Sequence, residues 1–542
     1  MMKSSLKSIK KNLSYEWLVV FFYTVLVILI VLKHEIWFDE AQAWLIADEA
    51  DLKTIVGTIT HNEGHPPIWY MLLMPFSAMG IKGDIALKIL NIAIMVVSVA
   101  IFEKKAPFNK IIKILLPFTY FLFYQYGVIS RPYCIMALGF MLLSAFYKER
   151  EEKPFRYVLS MLLICASSTY GIMVACGICI HWLFESINFM DIKKSIIDFF
   201  KTNKFKSLLV LLIINIAFVI MVMPRKDTYA IVVKPHYSLG TMIIRIIYTL
   251  FIVPANAFFE YSYSKVYGLP MTINTFTRVI ELICGIIFML IIFGYMYYNK
   301  KLIEFIIPYI MISIFSAAAY FMVHHIGIYN LYIIYMLWIC CENKVKRTEL
   351  IEKFKKHFDE KQQRQIQYFR YAMVLYGLGI SIYWSIMASI NDIKYPYAIG
   401  KEIADFVNEY DLTEYRIMSR WEDLRYSDEN AYYDLNRASM DCISSLLYFD
   451  ENIYYNMNYK THVKYRVHIV DQDTSIYKTW EEEGMPDFVF GEETPVNMVF
   501  PGKSLESDYT LIKVLYNNKC WKSEINKERF PIYIRNDLLD EF

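Results

Sequence analysis

The stretch IALKILNIAIMVVSVAIF, residues 85–102, decides the class of fold. It carries one charged side chain, Lys88, in 18 residues. A helix of roughly 20 apolar residues crosses the hydrocarbon core of a bilayer. Similar runs recur along the first 390 residues, so we expect about 11 to 13 membrane segments. The clearest runs are residues 17–32, 85–102, 111–129, 208–223, 279–298, 303–323, 326–341 and 372–390, and shorter or broken ones are residues 68–81, 133–147 and 157–183.

The composition supports a bilayer as the solvent of the chain. Of 542 residues, 56% are hydrophobic and 17% are aromatic, values that are high for a water-soluble protein with a polar surface. The 56 basic and 54 acidic residues leave a net charge of +2, which argues against a nucleic-acid-binding protein. We therefore expect an α-helical polytopic membrane protein.

Lysine and arginine clusters predict the orientation, because these residues collect in cytoplasmic loops. The N-terminus is then cytoplasmic in a multi-pass protein of the cell membrane, whereas loop 34–67 and everything after about residue 391 lie outside. Residues 68–81 and 242–259 break this alternation if they cross fully, which leaves a re-entrant or interfacial path open for both. The basic clusters are residues 3–11, 104–113, 148–156, 193–206, 300–301 and 344–370.

The hydropathy falls after residue 390, which divides the chain into two predicted domains. Residues 1–390 form the membrane domain, and residues 391–542 form a small soluble extracytoplasmic α/β domain. Short apolar runs between helical-looking segments predict the strands of this second domain. The predicted strands are residues 415–418, 466–470, 487–490, 511–515 and 531–534.

The first outer loop carries the most unusual sequence. It begins with WFDEAQAW, residues 37–44, in which Asp39 and Glu40 are adjacent carboxylates beside the membrane. The alternative is an interfacial helix with two solvated acids, since aromatic residues are common at this depth. The loop ends in HNEGHPPIWY, residues 61–70, where paired prolines fix the backbone beside His65; a capped helix start with surface histidines is the alternative there.

A very short outer turn, SRPY at residues 130–133, places Arg131 and Tyr133 between two apolar helices. Arginine pairs with phosphate in a bidentate manner, whereas snorkelling to the interface is the alternative. Carboxylates, histidines and cations around one opening suit a reaction at an anionic lipid head group. The further candidates for substrate or phosphate binding on the same predicted face are His65, Tyr170, Arg225, Lys226, His324 and His325.

The order of these motifs resembles the GT-C-fold glycosyltransferases, particularly the family 39 type that includes protein mannosyltransferases and the aminoarabinose transferase of lipid A. The resemblance covers roughly the first 190 residues in detail and the remainder by layout. It departs at STYG, residues 168–171, where relatives often have Tyr-Thr-His, so a role for Tyr170 does not follow from it. The matching stretches are WFDEA at residues 37–41, GHPPIWY at 64–70, YG at 126–127 and SRPY at 130–133.

The resemblance implies a hexosyl- or pentosyltransferase. Such an enzyme moves a sugar from a polyprenyl-phosphate-linked donor to a glycan, lipid or protein acceptor at the outer face of the membrane. Carried onto this chain, the general base is Asp39, with Glu40 as its helper or as a metal contact. Arg131 is the first candidate for stabilising the lipid phosphate. A divalent cation stays open, because the sequence lacks a metal-ligand spacing such as HExxH.

Three other functions compete with this interpretation. A transporter or flippase would also need many spans, although it would place its polar site near the midplane and not outside. A polysaccharide polymerase or ligase would share the lipid-linked donor but would favour a large outer loop late in the membrane region. A scaffold that only displays its terminal domain would leave Asp39 and Arg131 replaceable.

Overall fold

The computed structural model describes residues 14–188, 190–226, 238–259, 275–319, 321–342, 359–419, 423–425, 431–433, 439–455, 462–466, 483–491, 500, 502–540 and 542. The basic cluster at residues 3–11, most of the cluster at 344–370 and most of the predicted strand at 466–470 lie outside these residues.

The described chain is mostly helical and ends in a small sheet. The helices are α1 (Tyr15–Val31), α2 (Phe38–Glu49), α3 (Ile68–Ala78), α4 (Gly83–Lys105), α5 (Lys110–Leu115), α6 (Tyr133–Phe146), α7 (Pro154–Ser167), α8 (Thr169–Phe184), α9 (Ile192–Phe200), α10 (Asn203–Val222), α11 (Leu239–Asn256), α12 (Thr275–Tyr298), α13 (Leu302–Ala318), α14 (Ile326–Cys341), α15 (Glu360–Lys394), α16 (Gly400–Glu409), α17 (Met440–Ser445) and α18 (Leu505–Asp508). Shorter helical turns lie at Leu52–Thr54, Ile55–Ile59, Thr60–Glu63, Leu116–Phe118, Phe121–Gln125, Tyr147–Glu149, Val323–His325, Leu412–Glu414, Leu446–Tyr448 and Asn536–Leu538.

Among the described residues, 6 helical stretches are long and apolar enough to cross a membrane. They are α4, α10, α11, most of α12, α14 with the turn before it, and α15. Helix α4 illustrates how the sequence sets its ends. Asp84 lies in its first turn and two lysines lie in its last turn, which complements the helix dipole. Shorter apolar helices are α1, α3, α7, α8 and α13.

The prediction of one helix over residues 111–129 is wrong. The run consists of α5 and two short helical turns. Pro117 lies where α5 would continue, and proline has no N–H to donate to the preceding turn. A neighbouring helix compensates, because the Ser381 hydroxyl of α15 accepts the Tyr120 N–H at 3.0 Å. Irregular backbone is tolerated here because the protein buries and satisfies it.

Residues 68–81 and 242–259, whose crossing of the membrane the sequence left undecided, form helices of different length. Helix α3 has 11 residues and contains Pro75; at 1.5 Å per residue it spans roughly 16 Å, about half of a hydrocarbon core. Helix α11 has 18 residues and is long enough to cross. The predicted domain boundary at residue 390 falls inside α15, which continues to Lys394.

The C-terminal region holds the sheet that the alternating runs predict. One sheet has four strands in the order β1 (Ile417–Ser419), β4 (Phe488–Phe490), β6 (Glu524–Arg535) and β5 (Tyr509–Trp521). β1 and β4 are parallel, whereas β6 is antiparallel to both β4 and β5. The predicted strands at 511–515 and 531–534 lie within β5 and β6, and those at 487–490 and 415–418 overlap β4 and β1. Two further strands, β2 (Asp423–Arg425) and β3 (Ala431–Tyr433), pair with each other in a separate sheet.

The tip of the β5–β6 hairpin docks against the helices. Trp521 packs edge-on against the ring of Tyr120, with 5.3 Å between the ring centroids. Lys522 is buried, donates from Nζ to the Asn256 carbonyl at 2.8 Å, and lies 4.0 Å from the centre of the Trp384 ring. These contacts join the sheet to the end of α11, to α15 and to the segment that carries Tyr120.

Candidate functional site

The start of α2 presents the two predicted acids. Trp37 is the N-cap residue, and Asp39 and Glu40 lie in the first turn, where carboxylates interact favourably with the helix dipole. The Glu40 carboxylate accepts the Trp37 N–H at 3.2 Å. Because the two acids are adjacent on a helix, their side chains point in different directions.

Asp39 forms an ion pair with Arg131. The Oδ2 to Nη1 distance is 2.8 Å, and the side chains are 25% and 9% exposed, respectively. The guanidinium of Arg131 lies over two rings, 5.7 Å from the centre of Trp37 and 5.2 Å from that of Tyr133. Burial raises the pKa of Asp39 above its usual range, although Arg131 acts in the opposite direction. The carboxylate thus has access to solvent, while the arginine is fixed beneath it.

Histidine and tyrosine rings gather beside this pair. Tyr133 lies 6.1 Å from His65, 5.6 Å from His324 and 6.0 Å from His325 between ring centroids. Tyr170 lies 4.3 Å from His325. The structure therefore brings together seven of the residues selected from the sequence. We call this set the outer cluster: Asp39, His65, Arg131, Tyr133, Tyr170, His324 and His325.

The hydrogen bonds fix how two of these histidines are protonated. The Ser167 carbonyl can only accept, so His65 donates to it from Nδ1 at 3.0 Å and keeps a bare Nε2 when neutral. Burial, with help from Arg131, lowers the pKa of His65 to about 4. His325 is the reverse case, because its Nδ1 accepts the Met322 N–H at 2.9 Å. The cluster thus offers both an acceptor and a donor nitrogen.

Glu40 differs from Asp39 because its side chain is fully buried. One of its oxygens accepts the Ser130 N–H at 2.6 Å, and the other lies 3.1 Å from His34 Nε2. His34 Nδ1 lies 2.9 Å from Asp392, and all three side chains are fully buried. Tyr124 also donates to Asp392, at 2.9 Å. We call Glu40, His34 and Asp392 the buried triad. It holds the turn before Arg131 against α2.

Arg225 and Lys226 lie at the flank of the first outer loop. Both are exposed. Arg225 donates to the Gly57 carbonyl, and the carbonyl of Met223 nearby accepts from His61 Nδ1 at 2.7 Å. The end of α10 is therefore seated against the loop backbone, whereas the outer cluster consists mainly of buried side chains.

Sequence reasoning missed Glu63 and two members of the buried triad. Glu63 stands in the HNEGHPP stretch, and its carboxyl accepts from Gln42 at 2.9 Å. Burial, with the nearby charge of Asp39, raises the pKa of Glu63 to about 7 even though Arg131 opposes it. His34 and Asp392 are 358 residues apart, so no local pattern links them; the only signal was that each lies at the end of an apolar run.

Several buried polar atoms around the Asp39 and Arg131 pair are unsatisfied. Trp37 Nε1 and Ser130 Oγ have no hydrogen-bond partner within the described residues. Native proteins leave few such atoms without a partner, and each calls for an explanation. A polar ligand bound between the aromatic rings and the ion pair would give these atoms hydrogen-bond partners.

The described residues place a three-ligand group suited to a metal away from this cluster. It consists of His181, Glu185 and Glu304, but Glu304 also binds Lys301 and Glu185 also binds Arg150. Glu304 lies in the first turn of α13, and the histidines of the outer cluster follow the other end of that helix.

Comparison of the chain with protein-family models, curated proteins and solved structures gives no significant match.

Proposed function

We propose that the chain is a multi-pass membrane glycosyltransferase of the GT-C type, which moves a sugar from a polyprenyl-phosphate-linked donor to an acceptor at the outer face of the cell membrane. The observation that carries this proposal is the Asp39–Arg131 pair. It unites a solvent-accessible carboxylate with a buried arginine, at a depth where apolar helices end.

Asp39 acts as the general base. The acceptor hydroxyl forms a bond to the anomeric carbon of the sugar while the bond from that carbon to the phosphate oxygen breaks. The hydroxyl proton passes to Asp39, and the leaving polyprenyl phosphate keeps the electron pair. The raised pKa of Asp39 favours this step, because a stronger base takes a proton more readily.

Arg131 stabilises the charge that develops on the leaving phosphate. Its guanidinium is held between two rings, so little reorganisation is needed when the charge forms. A bare His65 nitrogen can accept a hydrogen bond from a sugar or acceptor hydroxyl.

Glu40 is a positioning residue in this proposal. Its oxygens bind the Ser130 N–H and His34, so it ties the helix that carries Asp39 to the turn that carries Arg131. A metal-contacting role would require Glu40 to exchange these partners for the ion.

The membrane setting follows from the apolar helices. A lipid-anchored phosphate stays at head-group depth, and the outer cluster lies where α6, α8 and α14 begin. The proposed orientation places the C-terminal sheet outside the cell. Labelling of an introduced cysteine, Asp450→Cys, with a membrane-impermeant reagent in intact cells tests that orientation.

The deciding experiment uses the purified full chain with radiolabelled polyprenyl-phosphate sugars and a panel of acceptors. We expect Asp39→Asn to lower kcat by at least about a hundredfold without raising the KM for the donor, since the amide still contacts Arg131. Exposed Asp450→Asn is the matched control. Undiminished transfer by Asp39→Asn would remove Asp39 as the base, and turnover of nucleotide sugars alone would overturn the donor. Transbilayer movement of lipid without sugar transfer would identify a flippase.

A further inference from the structure

A segment of the C-terminal region, residues 462–466, is clamped onto α2. Gln42 exchanges two hydrogen bonds with the backbone of Arg466, both at 2.8 Å. Lys464 donates its N–H to Glu49 at 2.8 Å and its Nζ to the Phe449 carbonyl at 3.1 Å. The position of Arg466 relative to α2 is therefore fixed from both sides.

The Arg466 side chain is buried. It is 4% exposed, and its Nε and Nη2 have no hydrogen-bond partner in the part of the chain that the structure describes. Its guanidinium lies 5.7 Å from the centre of the Phe38 ring. Buried guanidinium nitrogens that lack hydrogen bonds are unfavourable, and a ligand that supplies anionic oxygens would compensate them.

Arg466 lines a small cavity. Its volume is about 40 Å³, which is enough for a few water molecules or one carboxylate or phosphate group, since one water needs roughly 10–15 Å³. Asn62 Oδ1 is a second buried atom without a partner among the described residues. The polar residues that line the cavity are Thr54, Thr58, Asn62, Glu63, Tyr465 and Arg466.

The cavity lies close to the proposed base. Gln42 follows Asp39 by three residues in α2, and residues with this spacing share one face of a helix. Gln42 binds both Glu63 and the backbone of Arg466. The Arg466 cavity is thus about one helical turn from the Asp39 carboxylate.

We propose that Arg466 and its cavity bind an anionic group, carboxylate or phosphate, on the acceptor. This inference rests on the proposed glycosyltransferase function and adds to it an acidic substrate class. In the proposed function Arg131, within the outer cluster, already serves the donor phosphate. The Arg466 cavity instead lies between the first outer loop and the C-terminal region, and its lining includes the polar side chains of Thr58, Asn62 and Glu63.

The test measures binding of inorganic phosphate to the purified full chain, in an Arg131→Gln background that removes the donor-phosphate cation. We expect saturable binding that weakens at least tenfold when Arg466→Gln is added. Exposed Arg529→Gln is the matched control and should leave binding unchanged. The ligand-free melting temperature should stay equal or rise in Arg466→Gln, because the change removes a buried charge whose Nε and Nη2 have no partner among the described residues. Equal phosphate binding with and without Arg466→Gln would overturn the site.

Competition distinguishes the two sources of the anionic group. Glucuronate, an acidic sugar, should displace phosphate from the Arg131→Gln protein, whereas displacement by a short-chain prenyl phosphate alone would assign Arg466 to the donor and overturn the acceptor role. Should Arg466→Gln fail to fold, Arg466→Lys keeps the charge but loses the forked geometry, and it should still weaken phosphate binding. Arg466-dependent anion binding by a chain that transfers no sugar would refute the glycosyltransferase and leave the anion site standing.

Discussion

Replacing Asp392 by asparagine removes one of the two carboxylates that hold His34 in the buried triad. The amide of Asp392→Asn would keep the shape of the side chain and could still accept from Tyr124, so the change isolates a charge. His34 would retain Glu40, and the Ser130 N–H would retain its acceptor. The expected consequence is a loss of stability that depends on pH.

The size of the loss follows from the protonation of His34. Burial opposes the charged ring, but the carboxylates of Glu40 and Asp392 overcome it and raise the pKa of His34 from 6.5 to about 10. One pKa unit corresponds to about 1.4 kcal/mol, so the net preference for the protonated ring is roughly 5 kcal/mol. Removing one partner of a buried pair typically costs about 3–5 kcal/mol. We expect Asp392→Asn to cost roughly 2–4 kcal/mol at pH 6.5.

The sign of the pH dependence is fixed by the raised pKa. Below pH 6.5 the ring is protonated in the folded and the unfolded chain, and its contribution to stability is fully present. Between pH 6.5 and about 10 only the folded chain keeps the proton, so the contribution of His34 falls by about 1.4 kcal/mol per pH unit. It is lost once the pH passes the folded pKa. In Asp392→Asn the folded pKa is lower, so the decline ends at a lower pH.

Thermal unfolding of the detergent-purified chain across pH 6.5 to 10 measures both effects. At pH 6.5 the apparent Tm of Asp392→Asn should fall by roughly 2–4 °C, and exposed Asp450→Asn should fall by less than about 1 °C. If Asp392→Asn and the unchanged chain lose Tm in parallel over the whole pH range, His34 is not held protonated by these carboxylates and the reasoning fails.

Two further predictions concern the backbone near Arg131 and the docking of the sheet. In Gly127→Ala an added Cβ would overlap the Phe123 carbonyl, so Tm should fall by the equivalent of about 1–3 kcal/mol; Gly294→Ala, with no described atom within 4 Å, should be neutral or stabilising. Lys522→Met loses the bonds from Nζ to Asn256, and hydrogen–deuterium exchange in β5 and β6 should rise while exchange in α4 is unchanged. Equal exchange in the hairpin would show that Lys522 does not anchor it.

Much of the helical architecture could be predicted from the length of the apolar runs alone, because a long run without charges has few alternatives to an apolar helix. The run at residues 111–129 shows the limit of that argument. Its hydropathy equals that of a spanning helix, but Pro117 and the buried contacts of Tyr120 with α15 decide its path. Hydropathy reports the burial of a segment and not whether protein or lipid buries it.

The outer cluster could be predicted because its members lie at the ends of apolar runs on one expected face. The sequence did not show that the two adjacent acids have different partners. Asp39 and Glu40 look equivalent in sequence, yet one pairs with Arg131 and the other with His34. That difference depends on Asp392, which approaches only through the folding of α15, so a local pattern could not contain it.

The docking of the C-terminal region argues against a scaffold that merely displays a domain. Gln42 holds Arg466 one turn from Asp39, and the hairpin tip packs on Tyr120, which precedes the turn that carries Arg131. A displayed domain would need neither contact. Because the two contacts act on the segments that carry Asp39 and Arg131, a shift of the sheet would move the carboxylate relative to the arginine. Loss of transfer in a hairpin variant therefore indicates altered positioning, and only a variant that changes kcat with unchanged exchange and Tm identifies a group that takes part in the chemistry.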